Sequence, residues 1–304
     1  MDSVALVKFH RTFFKSLQNA LQLIGGLNLT DETILIKPNI CVETDPSGGA
    51  NVNSKTIQAV IDIVLSEKKN SMIKIIEADS VDKDIDKAFE NMGFSQLVEK
   101  YPKRVSLVNL SKEPTTTISF DGLHFKSLEL PKILLAPNYF ISVANAKTHG
   151  ITGITGILKN QFGCLPQKNK ARYHKHINEV IVDLNRIFKP NLSIVDAAFG
   201  MEGVVKGKLR KLGVLICGYA PLSVDATLSR IMDFNPSKIK HLTLAQNYEL
   251  GSFQPKVVGE KIENIKIKFH KPNSLVKELS EHVPQSLRPF AKGMYYRFLA
   301  RKPE

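Results

Sequence analysis

The sequence predicts an α/β fold, a mostly parallel or mixed sheet with helices on both faces, followed by a C-terminal helical tail. Three observations lead there. Apolar runs of strand length alternate with stretches of helical period. Several of those runs are continuously apolar rather than alternating, as in strands covered on both faces. Polar, glycine-rich segments follow one strand after another, the pattern of open sheets that bind ligands beyond the carboxyl ends of their strands.

Each element has its own signal. Val4 to Lys8 and Thr33 to Lys37 read as buried strands. Between them Phe13 to Ile24 carries apolar residues at helical spacing, and Gly25-Gly26 ends the helix. Ser54 opens a helix to about Lys68, with Ile57, Val60, Ile61 and Val64 on one face. Met72 to Glu77 is a strand, Asp84 to Met92 a helix closed by Gly93, and Val105 to Asn109 a strand. Thr115 to Ser119 and His124 to Leu128 suggest a hairpin turning at Asp121-Gly122. Tyr139 to Ala144 is a strand, and His176 to Phe188 a helix that stops before Pro190. Leu192 to Asp196 and Val214 to Cys217 are strands, and Pro221 to Met232 is a helix. The expected organisation is an α/β core over residues 1–260, then a C-terminal strand and a basic helical tail over 261–304. That tail is interrupted by Pro284 and Pro289 and ends with Tyr295, Tyr296, Arg297, Phe298 and Arg301. It reads as a packed helix, or as a surface for a protein partner or a membrane.

Composition narrows the class. The chain has 304 residues, 43% hydrophobic, enough to bury a large core. No apolar run is long enough to span a bilayer, and the N-terminus lacks the apolar core of a signal peptide. Cys41, Cys164 and Cys217 are few and widely spaced, which fits a reducing cytoplasm better than a disulfide framework. The expected location is therefore cytoplasmic. A net charge of +13 admits nucleic acid, a membrane surface or acidic small molecules as partners. No zinc-finger spacing or aromatic RNA-binding strand accompanies it, which disfavours nucleic acid and leaves a small anionic metabolite.

The densest chemistry lies in Ala146 to Pro166, AKTHGITGITGILKNQFGCLP. Glycines let backbone N–H groups approach a ligand, and a helix starting in this run would aim its positive end at an anion. Thr152 and Thr155 add neutral donors, Lys159 a full charge, and Asn160 an amide. His149 suits a general acid or base, or a metal ligand. If the helix begins near Ile154, Lys159 shares a face with Thr155. The run Lys170 to His176, KARYHKH, adds a cationic clamp with Lys170, Arg172 and His174. On a strand, His174 and His176 would share a face and could chelate, but at a helix start they would not, so a cationic clamp is the more natural reading. Lys37 and Asn39 follow a buried strand and are expected at the rim. Asp196 and Glu202 flank a glycine-bearing loop and are the candidate carboxylates for orienting a histidine or holding a divalent metal. All three cysteines fall at strand ends or rim loops. Three convergent thiolates would suit an iron–sulfur cluster, although buried structural thiols are the default reading.

These motifs in this order resemble the domain of unknown function 362 family. The resemblance rests on ILIKPN (Ile34 to Asn39), AKTHGITGITGILKNQFGCLP, KARYHKH, the DLN at Asp183 to Asn185, VDAAFGMEG (Val195 to Gly203) and LICGYAPLSVDATLSRIMDF (Leu215 to Phe234), and covers about residues 4 to 255. Many relatives add a ferredoxin-like insert with clustered cysteines. This chain lacks it, so the resemblance implies no electron-transfer role. The glycine-proline that follows GMEG in relatives is replaced by Val204, Val205 and Lys206. The family supplies no general reaction. The expectation from the residues is an enzyme acting on a phosphate- or carboxylate-bearing metabolite. Its alternatives are a metal or iron–sulfur protein and a non-catalytic binder of nucleic acid or membrane.

Overall fold

The computed structural model describes residues 2–9, 12–30, 33–45 and 48–272. The expected basic tail lies outside them. The first half of the chain runs β1 (Ser3–Lys8), α1 (Phe13–Leu23), β2 (Thr33–Pro38), α2 (Ser54–Glu67), β3 (Met72–Glu77), α3 (Ile85–Asn91), α4 (Ser95–Lys100), β4 (Val105–Asn109), β5 (Thr115–Ser119) and β6 (Ser127–Pro131). The second half runs β7 (Tyr139–His149), β8 (Gly153–Thr155), α5 (Ile157–Asn160), α6 (Ile177–Ile187), β9 (Leu192–Glu202), β10 (Lys208–Gly218), α7 (Pro221–Ile231), α8 (Lys240–Ala245), β11 (Lys256–Gly259) and α9 (Ile262–Ile265). The main sheet has the order β11-β1-β10-β9-β7-β2-β3-β4, with β8 paired to β7. Within it only β10 and β8 run against the other strands. The sheet is thus mixed, with helices on both faces. Side chains of α1 to α4 pack on one face, around Leu17, Ile57, Ile61 and Phe89. Those of α5 to α9 pack on the other, around Leu158, Ile181, Leu228 and Leu242.

The helix starts follow local chemistry. Thr12 accepts from the Lys15 N–H at 3.3 Å, Asn53 from Lys55 N–H at 2.8 Å, and Asp84 from Asp86 N–H at 3.1 Å, each satisfying an otherwise orphan donor. α7 begins with Pro221, whose fixed φ suits the first helical position.

Several strands run further than expected. β7 continues from Ala144 to His149, and β9 from Asp196 to Glu202, through segments rich in glycine and polar residues. Pairing rather than side-chain apolarity carries them on: β7 bonds β8 on its far stretch, and β9 forms a hairpin with β10. The β5–β6 connection spans 120–126 instead of turning at Asp121-Gly122. The Asp183 carboxylate takes the N–H groups of Leu123, His124 and Phe125 at 2.7, 2.8 and 3.0 Å, which opens the turn. The strand expected after residue 260 precedes it as β11, and 261–265 is the short helix α9 with its N-cap.

The glycine-rich run also folds differently. Gly153–Thr155 is the strand β8, so α5 starts only at Ile157. The anion at its N-terminus is the protein's own. The Asp225 carboxylate, on α7, accepts from Ile157 N–H at 2.7 Å and Leu158 N–H at 2.9 Å. Burial raises the Asp225 carboxyl to about 7, with the two backbone bonds opposing. A folded-state value above the unfolded one, about 3.9, means that this group's contribution to stability is complete below pH ~4 and is lost as pH rises through about 7. Asp225→Ala should cost about 2–4 kcal/mol in denaturant unfolding at acidic pH, because two buried N–H groups lose their acceptor. Asp225→Asn should cost less and should flatten the pH dependence between pH ~4 and ~7. An unchanged pH profile in the Asn variant would contradict this account.

Candidate functional site

The carboxyl ends of β2, β3 and β7 meet the α5 segment, and a cavity of about 430 Å³ opens there. That is room for a small metabolite. Among the described residues it is lined by six lysines, Lys37, Lys83, Lys159, Lys168, Lys170 and Lys206, and by two carboxylates, Glu77 and Asp82. His149, His174, Asn39, Cys41 and Asn160 also line it.

The floor is a buried charge cluster. Lys37 is fully buried; its Nζ meets Glu77 Oε2 at 2.5 Å and donates to Pro38 O at 2.9 Å and Asn160 Oδ1 at 3.2 Å. Lys83 Nζ stands 3.4 Å from the other Glu77 oxygen and donates to Ile40 O at 2.8 Å. One buried carboxylate therefore faces two buried ammoniums. Burial alone would raise the Glu77 carboxyl, but Lys37 and Lys83 outweigh it and hold it below the usual range. Gly163 lets the chain cross this pair, since a Cβ there would stand 2.6 Å from Glu77 Oε1 and 2.8 Å from Lys37 Nζ. Lys170 is also buried and donates to Asp79 O. Burial lowers it to about 8, against the pull of Glu77 and with the push of Lys83 and Lys37.

Behind the cavity wall lies Lys147, on β7 and fully buried. Its Nζ donates to Ala50 O at 2.6 Å, Asn39 Oδ1 at 2.7 Å and Cys41 Sγ at 3.2 Å. Among the described residues no carboxylate stands within ion-pair reach of it. Cys41 borders the cavity. Burial raises its thiol, yet the charges of Lys147, Lys159 and Lys83 together with the Lys147 hydrogen bond bring it below its ordinary value.

The histidines differ in their setting. His149 Nδ1 accepts from the N–H groups of Ile151 and Thr152, both at 3.2 Å, so a neutral ring carries its proton on Nε2. His174 lines the cavity within a 3₁₀ stretch, Lys170–His176. His176 points elsewhere and stacks on His124 at 5.0 Å, so the two histidines of KARYHKH form no pair.

Other candidates fall outside the cavity. Asp196 lies within β9, not at its end, and accepts from Thr56 Oγ1 at 2.7 Å on the face covered by α2. Burial raises its carboxyl, with the Thr56 and Ala198 hydrogen bonds opposing. Glu202 accepts from His270 N–H at 3.1 Å and stands 3.6 Å from Arg210. Thr152 Oγ1 donates to Ile154 O at 2.9 Å, and Thr155 Oγ1 to Lys147 O at 3.4 Å, so both hydroxyls brace the local turn. Because Thr155 belongs to β8, it shares no helical face with Lys159. Arg172 is exposed and packs over the Tyr173 ring at 4.6 Å. Asn160 reaches the wall, but its amide clamps β2 to β7 through Lys37 O at 3.0 Å and Val143 O at 3.3 Å. Lys37 has stayed in the core rather than leaving it.

The cysteines do not converge. Cys164 and Cys217 lie in the apolar layers on opposite faces of the sheet, and burial raises the Cys164 thiol to about 12. Among the described residues no group of three or more His, Cys, Asp or Glu side chains is placed to hold a metal ion. Glu77, Lys83 and Lys147 were missed as site residues. Glu77 had a readable signal, a charged end to a buried strand like that of Lys37. Lys147 had none beyond its place inside the AKTHG motif.

The model of the family described as domain of unknown function (DUF362) matches residues 34–230, a narrower span than the motifs suggested. A thylakoid-associated protein of Synechocystis sp. is 24% identical over 248 residues, 78% of this chain and 74% of that one. The lactate racemase apoprotein from Thermoanaerobacterium thermosaccharolyticum is similar at a TM-score of 0.47 and 11% identity, over 76% of this chain. The chain spans 57% of the racemase's length. Among the described residues no helix is long and apolar enough to cross a membrane. With more than half of its residues inside the family match, the chain belongs to the DUF362 family.

Proposed function

We propose that this protein is an enzyme acting on a small phosphate- or carboxylate-bearing metabolite held in the lysine-lined cavity. The observation that carries this reading is the charge imbalance. Six lysines and two carboxylates line one small space, and three of those lysines are themselves buried. An uncompensated buried charge is costly. A bound anion offsets that cost, so the cluster is preorganised for one. Of the other buried carboxylates, Asp79 pairs with Lys168 at 3.2 Å and takes the N–H of Ile85. Asp183 and Asp225 are taken up by backbone N–H groups, which leaves Lys37, Lys83 and Lys170 to share Glu77.

In this reading Lys83, Lys159 and Lys170 hold the anion. Lys37 contributes through the field of its pair with Glu77. His149, with its proton on Nε2, is the donor for a substrate oxygen, and His174 is the second proton-transfer group. A desolvated charge-assisted hydrogen bond contributes roughly 1.5–3 kcal/mol, against about 0–1 for an exposed ion pair.

Inorganic phosphate should raise the melting temperature of the wild-type protein. Lys159→Ala should melt within a degree or two of the wild type without ligand, yet lose most of the phosphate-induced rise. Lys159→Arg should restore little, since a planar fork replaces a compact ammonium. If Lys159→Ala binds phosphate as well as the wild type in calorimetry, the anion is held elsewhere.

The pH dependence follows from Lys170. Only its ammonium form attracts an anion, and that form is lost as pH rises through about 8. Phosphate affinity should therefore fall above pH ~8, well below the ordinary lysine value of about 10.4. Affinity unchanged to pH ~10 would remove Lys170 from the site.

A further inference from the structure

Lys147 poses a charge problem that the anion site leaves unsolved. It is fully buried behind the wall rather than on the cavity surface. Two of its three acceptors, Asn39 Oδ1 and Ala50 O, are neutral. The third is Cys41 Sγ at 3.2 Å. A thiol is a poor acceptor for a buried ammonium, whereas a thiolate is its counterion. The Asn39 amide also meets this sulfur, with its nitrogen at 3.6 Å and its oxygen at 3.7 Å. The charged groups that act on Cys41 are Lys147 from β7, Lys159 from α5 and Lys83 from the segment after β3, all positive. Cys164 and Cys217 have no such ammonium bonded to them, and burial dominates both.

Cys41 is also the one of the three thiols that borders the cavity. A thiolate paired with an ammonium, on a residue that borders an anion-binding space, has the setting of a nucleophile. We propose that Cys41 accepts an acyl group from an acyl phosphate bound in this cavity. The proposal rests on the anion reading above and names the substrate class for it. In the step, the Cys41 sulfur attacks the carbonyl carbon and an S–C bond forms. The C–O bond to phosphorus breaks, and the electron pair leaves with the phosphate. The departing phosphate takes one proton from a cavity ammonium, such as Lys170, which burial makes more acidic than an ordinary lysine. No oxidant or reductant takes part. The lysines that hold the phosphate also lie where negative charge develops.

Acetyl phosphate is the probe. After incubation with wild-type protein at neutral pH, the Cys41 peptide should be acetylated, and neutral hydroxylamine should remove the group as it does a thioester. Inorganic phosphate should suppress the reaction, Cys41→Ser should abolish it, and Cys164 and Cys217 should stay unmodified. Iodoacetamide reports the thiolate independently. Alkylation of native Cys41 should change less than about threefold between pH 6.5 and 8.5, where an ordinary thiol gains roughly fiftyfold. A protein that binds phosphate in calorimetry but leaves Cys41 unacetylated, or whose Cys41 alkylation climbs like an ordinary thiol, overturns the nucleophile and leaves the anion site standing. A protein that binds no phosphate overturns both.

Discussion

The arrangement of this protein depends on one constraint, more positive than negative charge buried at the carboxyl ends of three adjacent parallel strands. β2 brings Lys37, β3 brings Glu77, and β7 brings Lys147. A single carboxylate bridges Lys37 at 2.5 Å and Lys83 at 3.4 Å, while Lys147 relies on neutral acceptors and a sulfur. Water would satisfy these ammoniums at the surface. In the core they need carboxylates or other acceptors, and in the proposed reading an anion from outside supplies the remainder.

The family's motifs can be read as the frame around that cluster. Asp225 fixes the start of α5, and Asn185 accepts from Gln161 at 3.2 Å while donating to Leu158 O at 2.8 Å. Asn160 ties α5 back to β2 and β7. Gly163 lets the following turn pass over the Lys37–Glu77 pair. Thr148 receives Gly203 N–H at 2.9 Å, which holds the tip of the β9–β10 hairpin near the cavity mouth. Much of what looked like ligand chemistry in AKTHGITGITGILKNQFGCLP is thus positioning, and in the proposed reading the chemistry falls to a few lysines, two histidines and Cys41.

Legibility in the sequence followed the range of the interactions. TILIK and MIKIIE were readable because a continuous apolar run needs no partner to be identified. The α2 stripe of Ile57, Val60, Ile61 and Val64 was readable for the same reason. The far halves of β7 and β9 were not, since hydrogen bonding to β8 and β10 makes strands of residues with little strand preference. Of the residues singled out in the sequence, Lys37 at the end of a buried strand, His149 and Lys159 in the glycine-rich run, and Lys170 and His174 in the basic run KARYHKH line the cavity. Asp196 was misplaced because β9 runs on past it, and its carboxylate turns to Thr56. Asp225 sits within α7 yet caps α5, a contact across 67 residues that no local pattern encodes. Lys147 acquires meaning only from its tertiary neighbours.

The central claim, that the buried positive surplus is compensated by a bound anion, is tested most directly by crystallography with tungstate, a heavy anion whose anomalous signal locates it without ambiguity. The account predicts one strong peak inside the cavity, within hydrogen-bonding distance of the Nζ atoms of at least two of Lys83, Lys159 and Lys170, that inorganic phosphate displaces. Tungstate bound only at surface lysines, with the cavity empty at the same concentration, would contradict it.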